Sequence, residues 1–382
     1  MPKILIVRSA PFDANPKGYN VQEMGLSKAL CDMGYDVDWY TFKSKKQEKF
    51  VFYEKKGYRA LCVEVPRVRI LRWGINLELC KKDFLDQYDV VICFEYMQLM
   101  TFLIARNVEN GILYSGPYYN LFTLKFISPL FDFVATSRIN KAFPKIFTKS
   151  ILAKDFLEKK GYKNVVSVGV GLDIDRFQKD VDIKSETQDL INYMKMNKCI
   201  LYVGALSKRK NYSFMLDVYS LVQKKHPDLK FVVIGRSEPS FLRKIIGRGE
   251  SNYVKHCEWK MPKSVLDGIK HIEKIDNEQL KFIYPLAKAF LLPSKKEIFG
   301  MVLLEAMYLG APVVASENGG SKTIIENQNS GQMIKKFDVK LWADAVIKYL
   351  EDPSYTQMIT VNAKKIIESE CSWATIASKF LE

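Results

Sequence analysis

Two apolar five-residue runs, KILIV at 3–7 and CILYV at 199–203, each open a half of the chain in which short β-type runs alternate with amphipathic helical stretches. Parallel strands need a crossover connection, usually a helix, so this alternation is the pattern of a parallel sheet covered on both faces. An α/β fold with two doubly wound sheets is therefore expected. The 382 residues suffice for two such cores, since single cores stop growing near ~250–300 residues.

In the first half the β-type runs are Lys3 to Val7, Val37 to Phe42, Leu61 to Val65, Val90 to Phe94, Ile112 to Ser115 and Phe133 to Thr136. Between the first two, Val21 to Met33 reads as a helix, with Met24, Leu26, Ala29 and Leu30 on its apolar face and Gly34 as its stop. The second half restarts at Cys199 to Val203 and continues with Phe231 to Ile234, Ile269 to Ile272, Ala289 to Leu292 and Pro312 to Ala315. Domains are expected over 1–172 and 198–360. The polar stretch 173–197 is the expected crossover, and 361–382 a final helix that returns toward the first domain.

Composition narrows the class. With 48% apolar, 26% charged and 13% aromatic residues the chain is neither collagen-like nor disordered. Seven well-separated cysteines without a CxxC pair, beside only three histidines, disfavour a zinc site or a disulfide framework and suit a reducing cytoplasm. The first apolar run is too short for a secretory signal, and no stretch is long enough to span a membrane. The net charge of +15, shared between the halves, invites an anionic partner: nucleic acid, anionic lipid or a phosphorylated small molecule. No nucleic-acid-binding module accompanies it.

Doubly wound sheets bind ligands beyond the carboxyl ends of their strands, so the loops there are where chemistry is to be sought. No GxGxxG follows the first strand, which argues against a dinucleotide cofactor, and Gly18 in that loop suits equally a turn or the close approach of a ligand. More informative is LLPSKKEIFGMVLLEAMYLGAPVVASENGG at 291–320, where a buried strand ends, the chain turns at Pro293 and Ser294, and helical periodicity runs from Gly300 to Leu309. The amides of Gly300, Met301 and Val302 at that helix start form an anion site. Glu297 lies in the approach loop and Glu305 eight residues on; taken singly they suit a helix-start acid and a solvated helix acid, and taken together two carboxylates for the hydroxyls of a nucleotide sugar around its diphosphate.

This segment resembles the ExxxxxxxE motif of the glycosyl transferases group 1 family, with Pro293, Ser294, Glu297, Phe299, Gly300, Glu305, Ala306, Gly310, Pro312, Val313, Gly319 and Gly320 in register. The likeness extends to LYVGALSKRKN at 201–211, FVVIGRS at 231–237, IDNEQLKFIYPLAKAFLLPS at 275–294 and the hinge VSVGVGLDIDRF at 166–177. It covers the C-terminal half almost throughout, whereas the N-terminal half matches mainly in pattern.

The resemblance implies the GT-B architecture, two Rossmann-like domains facing across a cleft, and retaining, metal-independent sugar transfer without a cofactor. By it, Glu297 and Lys210 are catalytic, Glu297 facing the donor sugar and Lys210 the diphosphate, and Glu305 binds the donor ribose. Gly204, Arg209, Arg236, Phe299, Gly300, Met301 and Val302 complete the donor side, and Gly18, Gly116, Tyr118 and Asn120 mark the acceptor side more weakly.

Three positions depart from the family. Ala205 stands where an arginine usually partners the lysine, Gly116 where a histidine often touches the donor sugar, and Thr323 where an acid is common. Tyr114, Pro117, Tyr118 and Tyr119 suit either sugar stacking or half-buried packing. The basic positions 138, 141, 145, 149 and 154 recur at helical spacing and would suit either a solvated helix face or rest on anionic lipid.

The reading that follows is a cytoplasmic or peripheral inner-membrane-face enzyme, using a UDP-sugar ahead of a GDP-sugar and a glycan or lipid-linked glycan acceptor in cell-surface polysaccharide synthesis. Nucleic acid is not among its expected partners. The alternatives are a polyanion-binding protein, or a sugar phosphorylase or nucleotide-sugar epimerase of the same fold.

Overall fold

The computed structural model describes residues 1–9, 15, 21–43, 48–70, 73–120, 126–237, 253–326 and 328–382. They form two compact units, Met1–Asp173 joined by Glu370–Glu382, and Ile174–Ser369. Among the described residues no helix is long and apolar enough to cross a membrane.

The first unit contains β1 (Lys3–Val7), β2 (Asp36–Lys43), β3 (Lys49–Lys55), β4 (Tyr58–Pro66), β5 (Val68–Ile70), β6 (Trp73–Ile75), β7 (Val90–Phe94), β8 (Ile112–Ser115), β9 (Lys145–Thr148) and β10 (Val165–Ser167). Eight of them make one sheet in the order β10-β9-β8-β7-β1-β2-β4-β3, parallel except where β3 pairs antiparallel to β4 at the edge. The chain winds outward from β1 through β2 in one direction and from β7 in the other, so the order reverses between β1 and β7. The helix Gln22–Asp32 buries Leu26, Ala29 and Leu30, and Gly34 ends it in the left-handed region at φ +93°. Gly25 on the same helix admits the last helix of the chain: a Cβ there would lie 2.0 Å from the Trp373 indole.

The second unit holds β11 (Cys199–Val203), β12 (Lys230–Ile234), β13 (Ile269–Ile272), β14 (Ala289–Leu292), β15 (Val313–Ser316) and β16 (Gln332–Ile334). Their order is β13-β12-β11-β14-β15-β16, with every pair parallel. The reversal here falls between β11 and β14. Strands β11, β12, β14 and β15 are buried almost throughout, as a sheet covered on both faces requires. Tyr212, Met215, Tyr219 and Trp342 fill one of its faces.

Several sequence expectations are corrected. Phe133 to Thr136 is not a strand but the middle of the helix Ile127–Ala142, whose buried positions Phe131, Ala135, Ile139 and Ala142 follow a helical period. The strand in that region is β9, twelve residues on. The basic residues 138, 141, 145, 149 and 154 consequently share no single helix: the first two lie on Ile127–Ala142, Lys145 opens β9, Lys149 is buried beyond it and Lys154 lies on the helix Ile151–Glu158. Pro144 breaks the run by removing an amide the helix would need.

The stretch 173–197 is not patternless either. Ser185–Met196 is a helix of the second unit, burying Thr187, Leu190, Ile191 and Met194 at helical spacing. At the C-terminus the single helix expected over 361–382 is two, Pro353–Glu370 and Trp373–Leu381, and the second joins the first unit. Its Phe380 ring lies 5.2 Å from Tyr114 and 4.8 Å from Phe147, centroid to centroid.

Candidate functional site

In the second unit the loops after β11 and β14 flank the reversal of strand order, where open α/β sheets bind ligands. They meet at Glu297. Its carboxylate accepts a hydrogen bond from the Lys210 ammonium and lies 3.3 Å from Nη1 of Arg209. The backbones are stitched as well, since Lys295 donates to the Arg209 carbonyl at 2.8 Å and Arg209 Nη1 donates to the Lys296 carbonyl at 3.0 Å. Lys208 and Arg209 are exposed, whereas Lys210 is buried. Of the three basic residues, only Lys210 thus has its charge held inside the loop pair.

The helix Met301–Tyr308 starts at Gly300, which is left-handed at φ +86° and carries no side-chain cap. A side chain at 300 would therefore be strained, and its Cβ would press on Cγ of Glu297 at 3.1 Å. Positive charge from the helix start and from two cations is thus gathered around one carboxylate.

Glu305, in the middle of this helix, is fully buried. The Tyr284 hydroxyl donates to its Oε2 at 3.2 Å, and Oε1 has no hydrogen-bond partner among the described residues. Burial with so little compensation pushes its carboxyl up to about 8. A buried acid with an orphaned oxygen is the kind of group that a site retains for a ligand.

Beneath the loops the backbone is tightly interlocked. A Cβ on Gly320 would sit 2.0 Å from the Phe299 carbonyl oxygen, so only glycine lets the two segments touch. Asn318 caps the helix Gly319–Ile324 by accepting from the amides of Gly320 and Ser321 at 3.0 and 3.2 Å. The Ser316 hydroxyl ties this segment to the Ser294 carbonyl at 2.7 Å. Thr323 donates to the Gly319 carbonyl at 2.7 Å, a bond within its own helix.

The first unit carries a second cluster, at its own reversal between β1 and β7. Arg8 follows β1 and is paired at 2.6 Å with Glu23, which is fully buried and whose Oε2 has no hydrogen-bond partner among the described residues. Glu95 follows β7 in the left-handed region at φ +68°, an uncommon backbone for a non-glycine residue. Its carboxylate takes the Lys149 ammonium at 2.7 Å on one oxygen and the Gly116 amide at 2.9 Å on the other. Burial alone would raise the Glu95 carboxyl. Lys149, the Gly116 amide and Arg8 together hold it below the ordinary carboxylate range.

Comparison with known proteins now bears on both units. Residues 185–366 match the family model for glycosyl transferases group 1. An uncharacterized glycosyltransferase of Methanocaldococcus jannaschii is 23% identical over 95% of this chain and 92% of its own length. Further curated relatives are matched over 41% to 50% of their own length. Among solved structures, sucrose-phosphate synthase from Thermosynechococcus elongatus superposes with a TM-score of 0.72 at 18% identity, covering 100% of this chain and 97% of the other. Anabaena HepE in complex with UDP gives 0.72 at 16% identity, covering 100% and 98%.

Residues 185–366 thus match the glycosyl transferases group 1 family. The fold of the chain is that of the GT-B glycosyltransferases.

Of the residues singled out from the sequence, the structure brings together Lys210, Arg209, Glu297 and Gly300, with Met301 and Val302 opening the helix beside them. Phe299 is buried and acts through its carbonyl against Gly320. Gly204 ends β11 and is closely approached by Gly235, where a Cβ would lie 1.8 Å from the Gly204 carbonyl oxygen. Arg236 is not brought to Glu297: its exposed guanidinium lies 3.7 Å from Glu273.

On the weaker side, Gly116 serves by its amide, Tyr118 packs edge-on against Tyr119 at 5.1 Å, and Asn120 is exposed. Tyr114 is fully buried, its hydroxyl donating to the Gly169 carbonyl at 2.6 Å. Gly18 lies outside the described residues. Sequence reasoning missed Tyr284, Arg8, Glu23, Glu95 and Lys149. The one usable signal was a charged residue directly after a buried strand, at 8, 95 and 149 alike.

Proposed function

We propose that this chain is a retaining glycosyltransferase that moves a hexose-type sugar from a UDP-sugar to a glycan or lipid-linked glycan acceptor, without a metal. The observation that carries the reading is the juncture of Lys210 and Arg209 with Glu297 beside the start of Met301–Tyr308. As the glycosidic bond breaks, the leaving diphosphate gains negative charge, and Lys210 with the helix amides is placed to stabilise it. The diphosphate competes with Glu297 for Lys210, which frees the carboxylate to accept hydrogen bonds from sugar hydroxyls. Glu305, with an orphaned oxygen, takes the ribose hydroxyls.

Metal independence belongs to this proposal because Lys210, Arg209 and the helix amides supply the positive charge that a divalent cation supplies elsewhere. Among the described residues no group of three His, Cys, Asp or Glu could hold a metal ion. UDP is preferred over GDP because HepE, with the same fold, is described in complex with UDP. In the first unit the cluster of Arg8, Glu23, Glu95 and Lys149 is assigned to the acceptor, its strained Glu95 and unsatisfied Glu23 oxygen marking a place kept for a polar ligand.

Calorimetric titration with UDP, GDP and their sugars, followed by a transfer assay with EDTA present, tests the reading. UDP binding and EDTA-insensitive transfer are expected. A chain that ignores every nucleotide yet shifts nucleic acid in a salt-sensitive manner would replace it with polyanion binding.

A further inference from the structure

The helix Ile127–Ala142 of the first unit is apolar on two faces. One face is buried through Phe131, Ala135, Ile139 and Ala142. The opposite one is open: Phe126, just before the helix, is 65% exposed, Leu130 61%, Phe133 88% and Val134 55%. Pro129 lies among them and is exposed as well. At 100° per residue the four large side chains fall within about 100° of arc, Pro129 widens the face to about 140°, and it extends along about 12 Å of axis. Aliphatic and aromatic side chains gathered at such exposure on one surface mark an interaction site.

We infer that this face docks on an anionic bilayer. The composition around it selects that occupant. Following the helix past Val134, the exposed positions become Ser137, Lys141, Pro144 and Lys145, so the apolar patch runs into a basic rim with no acidic side chain exposed along it. The acid of the helix, Asp132, is half-buried and neutralised by Lys160. Apolar side chains that enter the acyl boundary, beside lysines at headgroup level, are the arrangement of an interfacial helix. A second copy laid antiparallel on the patch would set Lys141 against the apolar end around Phe126 and Leu130, burying its charge unpaired. The chain's +15 net charge adds long-range attraction to an anionic surface.

The inference rests on the first unit alone and not on the sugar-transfer reading, so it is tested on the intact chain without substrate. The assay is flotation with vesicles of phosphatidylcholine alone and of equal parts phosphatidylcholine and phosphatidylglycerol. Binding is expected to the mixed vesicles, at least ~10-fold weaker to phosphatidylcholine alone, and weakened by salt. Leu130→Asp with Phe133→Asp should lower binding to the mixed vesicles by ~10-fold or more, the scale of removing two side chains from the acyl boundary. Lys141→Glu with Lys145→Glu should remove the preference for anionic lipid. Thermal unfolding and nucleotide affinity serve as folding controls, and neither pair should change them. Failure to float with the mixed vesicles at low salt overturns the proposal, as does unchanged binding by either pair. A dimer in size-exclusion chromatography that Leu130→Asp with Phe133→Asp dissociates, with no vesicle binding, would assign the face to a second copy instead.

Discussion

At the scale of single residues, charge is set by what surrounds it, and two buried carboxylates illustrate opposite outcomes. Glu305 has one phenol and no cation, so its carboxyl rises to about 8, above its unfolded value. The folded state then holds a proton that the unfolded chain has lost, and stability falls as pH rises from the ordinary carboxylate range toward 8. Glu305→Gln removes this dependence. In thermal melts its lead over the parent should be absent near pH 4, grow by at most about 1.4 kcal/mol per pH unit, and level off above 8.

Glu95 is the converse case. Its depressed carboxyl contributes stability above the ordinary carboxylate range that is lost as pH falls through the folded value. Lys149→Met strands that charge and should cost about 3–5 kcal/mol in denaturant titrations, whereas adding Glu95→Gln should recover most of the loss. Lys210→Ala should lower single-turnover transfer by about 10²–10³-fold, with Lys208→Ala near the parent. Equal small effects at both would place the diphosphate elsewhere.

At the scale of elements, function depends on how closely segments approach. The helix start at Gly300 and the GG loop are held in register because Gly320 leaves no side chain between itself and the Phe299 carbonyl. Gly320→Ala must push that backbone aside. A stability loss of about 1–3 kcal/mol is expected, with weaker UDP binding because Glu297 moves with the loop, read by chemical denaturation and calorimetry. Undiminished affinity would separate the GG loop from the site. The helix Ile127–Ala142 teaches a related lesson. Its central FVAT reads as a strand because both faces are apolar, which hides the helical period that its buried positions follow.

At the scale of the whole molecule, the last nine helical residues, Trp373–Leu381, belong to the first unit although they follow the second in sequence. Trp373, Ile376 and Phe380 are buried there, Trp373 against Gly25 and Gly171. Removing 371–382 should expose those glycines and the Tyr114 and Phe147 rings. The melting transition of the first unit should fall by several degrees while UDP still stabilises the second. A single unchanged transition would show that this helix contributes nothing.

The sequence by itself determined the α/β class, ten of the strands, and the helix-start motif from Glu297 to Glu305, because strand alternation and glycine placement are local properties written in neighbouring residues. Two further features depend on partners far along the chain. Lys210 meets Glu297 across 87 positions and Lys149 meets Glu95 across 54, distances at which no periodicity speaks. Lys149 therefore reads as one of a surface row, yet it is a buried cation, and only the tertiary structure decided this by bringing the ends of β7 and β9 to the same edge of the sheet. The identity of the buried charges followed from topology, since desolvation and pairing act through space and not along the chain.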